Sequence, residues 1–345
     1  MVKKRFKLLA TAGILLALTL AGCGNNKSTD SVNNEAASAK AKEEVQTLTV
    51  YSAGPDGLAA NIQQAFEEKT GIKVEMFQGT TGKILSRLEA EKNNPVADIV
   101  VLASVASMDG LKESNQLLSY QEAENASKMN RDWSDAEGYY YGYSASALGI
   151  AYNTKNTKDI PTEWTDLAKP EWQGKMNIPD PSLSGSAVDF IYGYTEAEKT
   201  AWDTIQLWKN NGLQVNGANK EALDAVITGD KNATISGVDY MAYKAKASGE
   251  PVEIVYPKSG TVVSPRAVAI MKDAKNVEGA KAYVNFLLSD EGQKLVTDAY
   301  LLPGNNEIAV KDRAALDEIP QLKVNWKGSE SKQLDILTKF NDIFR

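Results

Sequence analysis

The feature of this sequence that most limits its fold is a regular alternation of strand and helix patterns in residues 48–102. β-rich runs at 48–52, 72–77 and 98–102 are separated by two segments in which apolar residues recur at helical spacing. Helix-length connections of this kind join parallel strands through right-handed crossovers. The pattern therefore predicts an α/β fold in which helices pack on a sheet with parallel pairing.

The same alternation continues through the rest of the chain. Further strand patterns fall at 148–152, 175–178, 233–236, 252–256 and 262–271, and helical patterns occupy much of the remainder up to residue 344. No internal repeat of 20–50 residues is present, which argues against a solenoid. With 345 residues, the chain is long enough for two domains.

Residues 1–22 have the pattern of a signal peptide. Basic residues precede an apolar run at 8–20, which is shorter than the ~20 residues that usually span a bilayer. An uncleaved anchor helix is the alternative interpretation. The run ends at Leu20-Ala21-Gly22-Cys23, which resembles a bacterial lipobox, in which the cysteine thiol carries a lipid. We therefore expect Cys23 to be lipidated and the protein to be anchored on the extracytoplasmic face of the cell membrane.

Residues 23–45 are predicted to form a flexible tether. Much of this stretch is Asn, Ser, Ala and Lys with almost no large apolar side chain, so it cannot bury enough surface to offset its ordering entropy. The folded part is expected to begin near Gln46.

Composition excludes several classes of function. The sequence contains no histidine and a single cysteine, which removes Ser-His-Asp triads, Cys-His pairs, histidine–cysteine zinc sites and any disulfide within the chain. The net charge of −7 argues against nucleic acid as a partner.

Several segments resemble the bacterial solute-binding proteins of ATP-driven (ABC) importers. They are Val50-Tyr51-Ser52-Ala53, the run from Phe66 to Val74, Pro95-Val96-Ala97-Asp98-Ile99, Gly149-Ile150-Ala151-Tyr152-Asn153, Trp164-Thr165-Asp166-Leu167, Trp172-Gln173-Gly174-Lys175 and residues 280–292. The resemblance covers nearly the whole folded chain. Its most similar group contains ferric-ion-, phosphonate- and sugar-phosphate-binding members.

This resemblance implies a type 2 periplasmic binding protein, with two α/β lobes around a cleft and two hinge crossings, near Gly149 and Val262. Lobe 1 would comprise 46–149 and 262–345, and lobe 2 would comprise 150–261. The implied protein is a monomer without catalytic residues or a resident cofactor. It would bind a small-molecule solute and deliver it to the permease subunits in the membrane.

Three donor-rich loops, each before a predicted helix, are candidates for the ligand site. A helix N-terminus presents unsatisfied N–H groups and partial positive charge, so it suits an anion. The candidate residues are Ser52, Ala53 and Gly54 in the first loop, Thr80 and Thr81 in the second, and Ser182, Ser184, Gly185 and Ser186 in the third. Helix capping is the alternative role for the hydroxyls. The second loop lacks the GxxxxGK[ST] spacing of a nucleotide-binding loop.

Asp239 and Tyr240 occupy the place where ferric members of the family carry adjacent tyrosines. This implies a ligand contact for both residues, with Asp239 accepting a hydrogen bond from an amine or hydroxyl. Helix capping is the alternative for Asp239. A ferric site would use Tyr240 and Tyr243, and the cluster Tyr139, Tyr140, Tyr141 and Tyr143 offers further phenols or simply aromatic packing.

Arg266 has two open roles, a bidentate contact to an anionic ligand or a salt bridge at the surface or hinge. A hydrolase with paired carboxylates and a surface adhesin are the alternatives to a binding protein, but neither explains the resemblance and the donor-rich loops together. The sequence therefore predicts a lipid-anchored binding component of an ABC importer for a small anion of the phosphonate or phosphate-ester type. Ferric iron is the alternative ligand.

Overall fold

The computed structural model describes residues 46–326 and 328–344; the predicted signal peptide, tether and lipidation site at Cys23 lie outside them. The strands are β1 Thr47–Ser52, β2 Lys73–Gln78, β3 Ile99–Leu102, β4 Leu117–Leu118, β5 Tyr141–Asn153, β6 Met176–Ile178, β7 Gln214–Val215, β8 Ala233–Val238, β9 Val252–Val255, β10 Val262–Met271 and β11 Leu302–Pro303. The α-helices are α1 Asp56–Thr70, α2 Thr81–Glu91, α3 Val105–Glu113, α4 Gly185–Ala197, α5 Ala201–Asn210, α6 Asn219–Thr228, α7 Asp239–Ala247, α8 Val277–Leu288, α9 Asp290–Asp298 and α10 Ser329–Phe344.

The strands form one mixed sheet in the order β2-β1-β3-β10-β5-β8-β6-β7, with β4 paired to β10 and with β9 and β11 paired to β5. Pairing is parallel at both ends of the sheet, between β1 and its neighbours β2 and β3 and between β6 and its neighbours β7 and β8. The two central strands, β5 and β10, pair with each other and with their other neighbours antiparallel. The α/β prediction with parallel pairing is therefore right for the two ends, and the centre is antiparallel.

The first lobe is a sheet covered by helices on both faces. Leu48 and Val50 of β1 pack with apolar residues of α1 and α8, whereas Tyr51, which points the other way, packs with those of α2 and α3. This alternation follows from the two-residue period of a strand. Gly71, with φ of 73°, ends α1 in the left-handed conformation that glycine adopts without strain.

The second lobe repeats this arrangement around β6 and β8. On one face, α4 and α5 bury an aromatic cluster in which the Trp208 indole N–H donates to the Trp164 carbonyl at 3.0 Å. On the other face, α6 and α7 pack against Ala151, Val252 and Ile254.

Two strands cross between the lobes. Tyr141 and Tyr143 at the start of β5 pack in the first core, and Leu148, Ile150 and Tyr152 pack in the second. β5 is longer than the predicted strand at 148–152, because its tyrosine- and serine-rich first half pairs with β10. β10 has the predicted bounds, and its first residue, Val262, also belongs to the second core.

The C-terminal helix α10 packs with the second lobe, whereas the sequence prediction placed all of residues 262–345 in the first lobe. Ile336 and Phe340 of α10 belong to the aromatic core of the second lobe. The Lys332 ammonium also pairs with the Glu196 carboxylate of α4 at 3.0 Å. We therefore propose lobe boundaries in which α10 joins residues 150–261.

None of the helices within residues 46–326 and 328–344 has the length and apolar character needed to cross a membrane.

Candidate functional site

A cleft of about 750 Å³ lies between residues of the two lobes, and the three predicted loops contribute to its lining. Ala53 and Gly54 come from the loop after β1, and Thr80 and Thr81 come from the loop after β2. Leu183 to Ser186 come from the loop after β6. The predicted residues that line the cleft are therefore Ala53, Gly54, Thr80, Thr81, Ser184, Gly185, Ser186 and Tyr240.

The α2 N-terminus forms one wall of the cleft. The Thr80 hydroxyl caps the helix by accepting from the Lys83 N–H at 3.4 Å, and the Thr81 hydroxyl accepts from the Ala103 N–H at 3.2 Å. The hydroxyls therefore hold the loop in place, as the capping interpretation predicts, and the first N–H groups of α2 have no partner within the helix.

The α4 N-terminus forms the facing wall. The Ser184 hydroxyl accepts from the Ala187 N–H at 3.1 Å and donates to the Asn219 side-chain oxygen at 2.8 Å. The Asn219 amide in turn donates to the Ser186 hydroxyl at 2.9 Å. Asn219 lines the cleft and was not predicted, since nothing in its local sequence connects it to α4.

The two walls touch each other. A Cβ atom on Gly185 would lie 3.2 Å from the Thr81 Oγ and 3.3 Å from the Thr81 Cβ. Any side chain at residue 185 would therefore crowd Thr81, so glycine permits the close approach of the two loops. Two helix N-termini, one from each lobe, consequently converge on the same region of the cleft.

Arg266 contributes the buried cation of the cleft. It lies on β10 opposite Ser144, it lines the cleft, and only 6% of it is exposed. Its Nε and Nη1 atoms are buried and have no hydrogen-bond partner among the described residues. Buried guanidinium nitrogens are normally paired, so an anion held beside Arg266 would supply an acceptor that the described residues do not.

Hydrogen-bond acceptors lie beside the first loop. The Gln78 amide nitrogen donates to the Gly54 carbonyl at 2.9 Å and to the Asp56 carboxylate at 3.1 Å. Its Oε1 is buried and without a partner among the described residues. Gln78 and Asp56 both line the cleft, so their side-chain oxygens give the cleft acceptors for a ligand amine or hydroxyl. Neither residue was predicted from the sequence, because each lies next to a recognised motif rather than in it.

Two predicted loop serines do not line the cleft. Ser52 is buried, and its hydroxyl accepts from the Gly54 N–H at 3.0 Å, so it shapes the first loop. The Ser182 hydroxyl donates to the Asp180 carboxylate at 2.6 Å within an exposed turn.

Asp239 also lies outside the cleft lining. Its carboxylate accepts from the Arg313 guanidinium at 2.6 Å, and neither side chain is exposed. The Tyr256 hydroxyl donates to the same oxygen at 3.2 Å. Asp239 is the first residue of α7, and its other carboxylate oxygen accepts from the Tyr240 N–H. This placement differs from the predicted ligand contact, and the partner residue lies 74 positions away in sequence.

Tyr240 lines the cleft, and burial raises the pKa of its phenol while the nearby Arg266 charge opposes that rise. Tyr243 does not line it. The Tyr243 hydroxyl lies 3.2 Å from that of Tyr256 and accepts from the Ala314 N–H at 3.3 Å.

Tyr140, Tyr141 and Tyr143, around the start of β5, do not line the cleft. The Tyr140 hydroxyl donates to the Asp109 carboxylate at 2.7 Å and the Tyr141 hydroxyl donates to the Tyr120 carbonyl at 2.5 Å. Tyr143 packs in the first core. Among residues 46–326 and 328–344 there is no group of three or more Asp or Glu side chains placed to hold a metal ion.

Comparison with known proteins supplies the family. The sequence profile of the bacterial extracellular solute-binding proteins matches residues 94–332. The chain is 26% identical over 280 residues to a putative 2-aminoethylphosphonate-binding periplasmic protein of Salmonella typhimurium, covering 76% of this chain and 80% of that protein. It is 25% identical over 281 residues to iron uptake protein A1 of Synechocystis, covering 77% and 76%.

Solved structures show the fold. The periplasmic binding protein AfuA of Actinobacillus pleuropneumoniae, with fructose-6-phosphate bound, superposes with a TM-score of 0.79 at 23% identity. The match covers 87% of this chain and 98% of that one. The chain belongs to the bacterial extracellular solute-binding protein family. It has the two-lobe fold of a periplasmic binding protein and is the substrate-binding protein of an ABC importer.

Proposed function

We propose that this protein binds a small anionic solute, a phosphonate or phosphate ester, in the cleft between its lobes and delivers it to its permease. The observation that carries the proposal is Arg266, a buried guanidinium at a cleft where two helix N-termini meet, whose Nε and Nη1 have no hydrogen-bond partner among the described residues. A tetrahedral anion can accept a charge-assisted hydrogen bond from the guanidinium and further hydrogen bonds from backbone N–H groups. The similar protein from Salmonella, named for a phosphonate, and the phosphate ester bound in the similar structure support this ligand class.

A thermal-shift screen of the purified protein tests the ligand class. The panel is 2-aminoethylphosphonate, fructose-6-phosphate, sulfate and ferric citrate. A ligand at a hundredfold excess over its dissociation constant stabilises the folded state by ~2.7 kcal/mol, which raises the melting temperature measurably. We expect a phosphorus-containing anion to give the largest rise. A rise with ferric citrate alone, accompanied by colour, would overturn the proposal.

Ferric iron is the second candidate, favoured by Tyr240 in the cleft and by the similarity to an iron uptake protein. If iron is the ligand, the loaded protein absorbs visible light by phenolate-to-metal charge transfer. The Tyr240→Phe variant would then lose that absorption. An anion receptor shows no such band and binds its ligand with Tyr240 intact or replaced.

Gly185→Val is expected to weaken anion binding by roughly 5- to 150-fold. Overpacking a close contact costs about 1–3 kcal/mol, and here it opposes only the arrangement in which Gly185 touches Thr81. Calorimetric titration measures the change, and the melting temperature of the ligand-free protein checks the fold. Gly82→Val is the matched control, because a Cβ there meets nothing within 4 Å. Equal affinities of the two variants would contradict contact between the loops in the bound state.

We also propose that Cys23 carries the lipid anchor, on the basis of the sequence Leu20-Ala21-Gly22-Cys23. The Cys23→Ser variant lacks the thiol that accepts the lipid, so it is expected to leave the membrane fraction or to remain unprocessed. Metabolic labelling with a radioactive fatty acid, followed by fractionation, measures this. Lipid labelling equal to that of the parent protein would rule out Cys23 as the attachment site.

A further inference from the structure

Asp189 is a buried carboxyl group behind the cleft, one helical turn after Gly185 on α4. Its side chain has no exposed surface and does not line the cleft. One carboxylate oxygen accepts from the Ser104 hydroxyl at 3.0 Å, and the other accepts from the Ser264 hydroxyl at 2.7 Å. Both oxygens are therefore used inside the protein.

These two serines belong to different parts of the fold. Ser104 caps α3 of the first lobe, where its oxygen accepts from the Ser107 N–H at 3.3 Å. Ser264 lies on the crossing strand β10, opposite Ser146 of the other crossing strand. Asp189 itself lies next to Phe190 and Ile191, which are core residues of the second lobe. The hydrogen bond from Ser104 to Asp189 consequently joins the two lobes. The Ser264 hydroxyl lies near the second crossing and also reaches the Ala103 carbonyl of the first lobe at 3.5 Å, so its bond to Asp189 belongs to the same contact.

This interlobe bond lies close to the contact between Thr81 and Gly185. The Thr81 hydroxyl accepts from the N–H of Ala103, the residue before Ser104, and Gly185 is one turn before Asp189. The same two segments therefore meet twice, once at the cleft surface and once in the buried layer beneath it. Two hinged lobes that open must break the buried contact.

We propose that Asp189 is a positioning residue that stabilises the closed arrangement of the lobes through its hydrogen bond with Ser104. It acts on ligand binding only by holding the α4 N-terminus against the first lobe. The affinity part of this inference rests on the proposed function, but the effect on closure does not, because the hydrogen bond joins two side chains of the protein itself.

The chemistry of Asp189 provides a conservative variant. Burial raises its pKa to about 7, opposed by the hydrogen bonds from Ser264 and Ser104 and by the charge of Arg266. In Asp189→Asn the amide oxygen can accept from one serine and the amide nitrogen can donate to the other, so both hydrogen bonds are retained.

Single-molecule energy transfer across the cleft tests closure directly. Donor and acceptor dyes are attached to Ser86→Cys and Thr228→Cys in the Cys23→Ser chain, since both positions are exposed and outside the cleft lining. A hydrogen bond to a charged group contributes enough to change an equilibrium by roughly ten- to hundredfold. We expect Ser104→Ala to lower the closed-to-open ratio of the ligand-free protein by about that factor, and Asp189→Asn to stay within about threefold of the parent.

Ser289→Ala is the matched control, because the Ser289 hydroxyl caps α9 by accepting from the Gly292 N–H at 3.2 Å, as Ser104 caps α3, and donates within the first lobe to the Phe286 carbonyl at 2.7 Å. It is expected to change the closed-to-open ratio by less than about threefold. The inference is overturned if Ser104→Ala leaves the ratio unchanged or if Ser289→Ala shifts it equally. With fructose-6-phosphate or 2-aminoethylphosphonate bound, Ser104→Ala should raise the dissociation rate by a similar factor. Absence of binding in the parent would count against the proposed ligand class and not against the closure result.

Discussion

Replacement of Arg266 by methionine is expected to weaken anion binding by about 2–5 kcal/mol, or from ~30-fold to several thousandfold, without destabilising the ligand-free protein. The loss is large because a buried anion would be left without its cation. The stability of the ligand-free protein is expected to hold or rise, since Nε and Nη1 of Arg266 are buried without a partner among the described residues. Methionine is a flexible apolar side chain that can fill the space of the arginine stem.

Two further variants separate charge from geometry in this prediction. Arg266→Lys keeps a positive charge but lacks the planar guanidinium and its several donors, so we expect an intermediate affinity. Arg131→Met removes an exposed arginine outside the cleft and is expected to leave binding unchanged. Calorimetric titration gives the affinities, and urea denaturation gives the stabilities. If Arg266→Met binds the anion as tightly as Arg131→Met does, the anion site is elsewhere and the proposed function is wrong.

The sequence predicted the α/β elements because the signals for them are local, whereas the two-lobe arrangement was implied by the family resemblance. The apolar run in β3 and the glycine that ends α1 each determine an element from a few neighbouring residues. The first half of β5 was missed because it is rich in small residues, among them Gly142, Ala145 and Ala147, which are depleted in strands. That segment is a strand because β10 pairs with it, and pairing at a distance of more than a hundred residues leaves no local pattern.

The candidate site could be predicted only in part for the same reason. The loops before α2 and α4 were recognised because serine, threonine and glycine at a helix start are a local signal. Whether a given hydroxyl faces the ligand or caps its own helix depends on where neighbouring elements lie. For Ser184 and Ser186, the neighbour that holds the hydroxyls is Asn219, which belongs to α6 rather than to α4. The sequence could not distinguish an anion contact from a salt bridge for Arg266, because it does not show whether a carboxylate lies within reach of the guanidinium.

Removal of the Asp239 carboxylate is expected to lower the free energy of unfolding by about 3–5 kcal/mol, which makes it a structural residue rather than a ligand contact. The Arg313 guanidinium donates to Asp239 at 2.6 Å, and the side chains of both residues are fully buried. Asp239→Ala leaves that charge in the interior. The remaining bonds of Arg313, to the carbonyls of Ala314 and Tyr300, do not neutralise it.

Urea denaturation of three variants checks this prediction. Glu291→Ala removes the exposed ion pair between Lys69 and Glu291, and we expect a change of no more than about 1 kcal/mol. The double variant Asp239→Leu with Arg313→Met removes both buried charges together. It is expected to recover most of the stability, because the desolvation penalty of the pair disappears along with its attraction. If Asp239→Ala instead unfolds at the parental urea concentration and loses anion binding, Asp239 contacts the ligand. The buried ion pair would then contribute little to the fold, which its burial and its 2.6 Å length argue against.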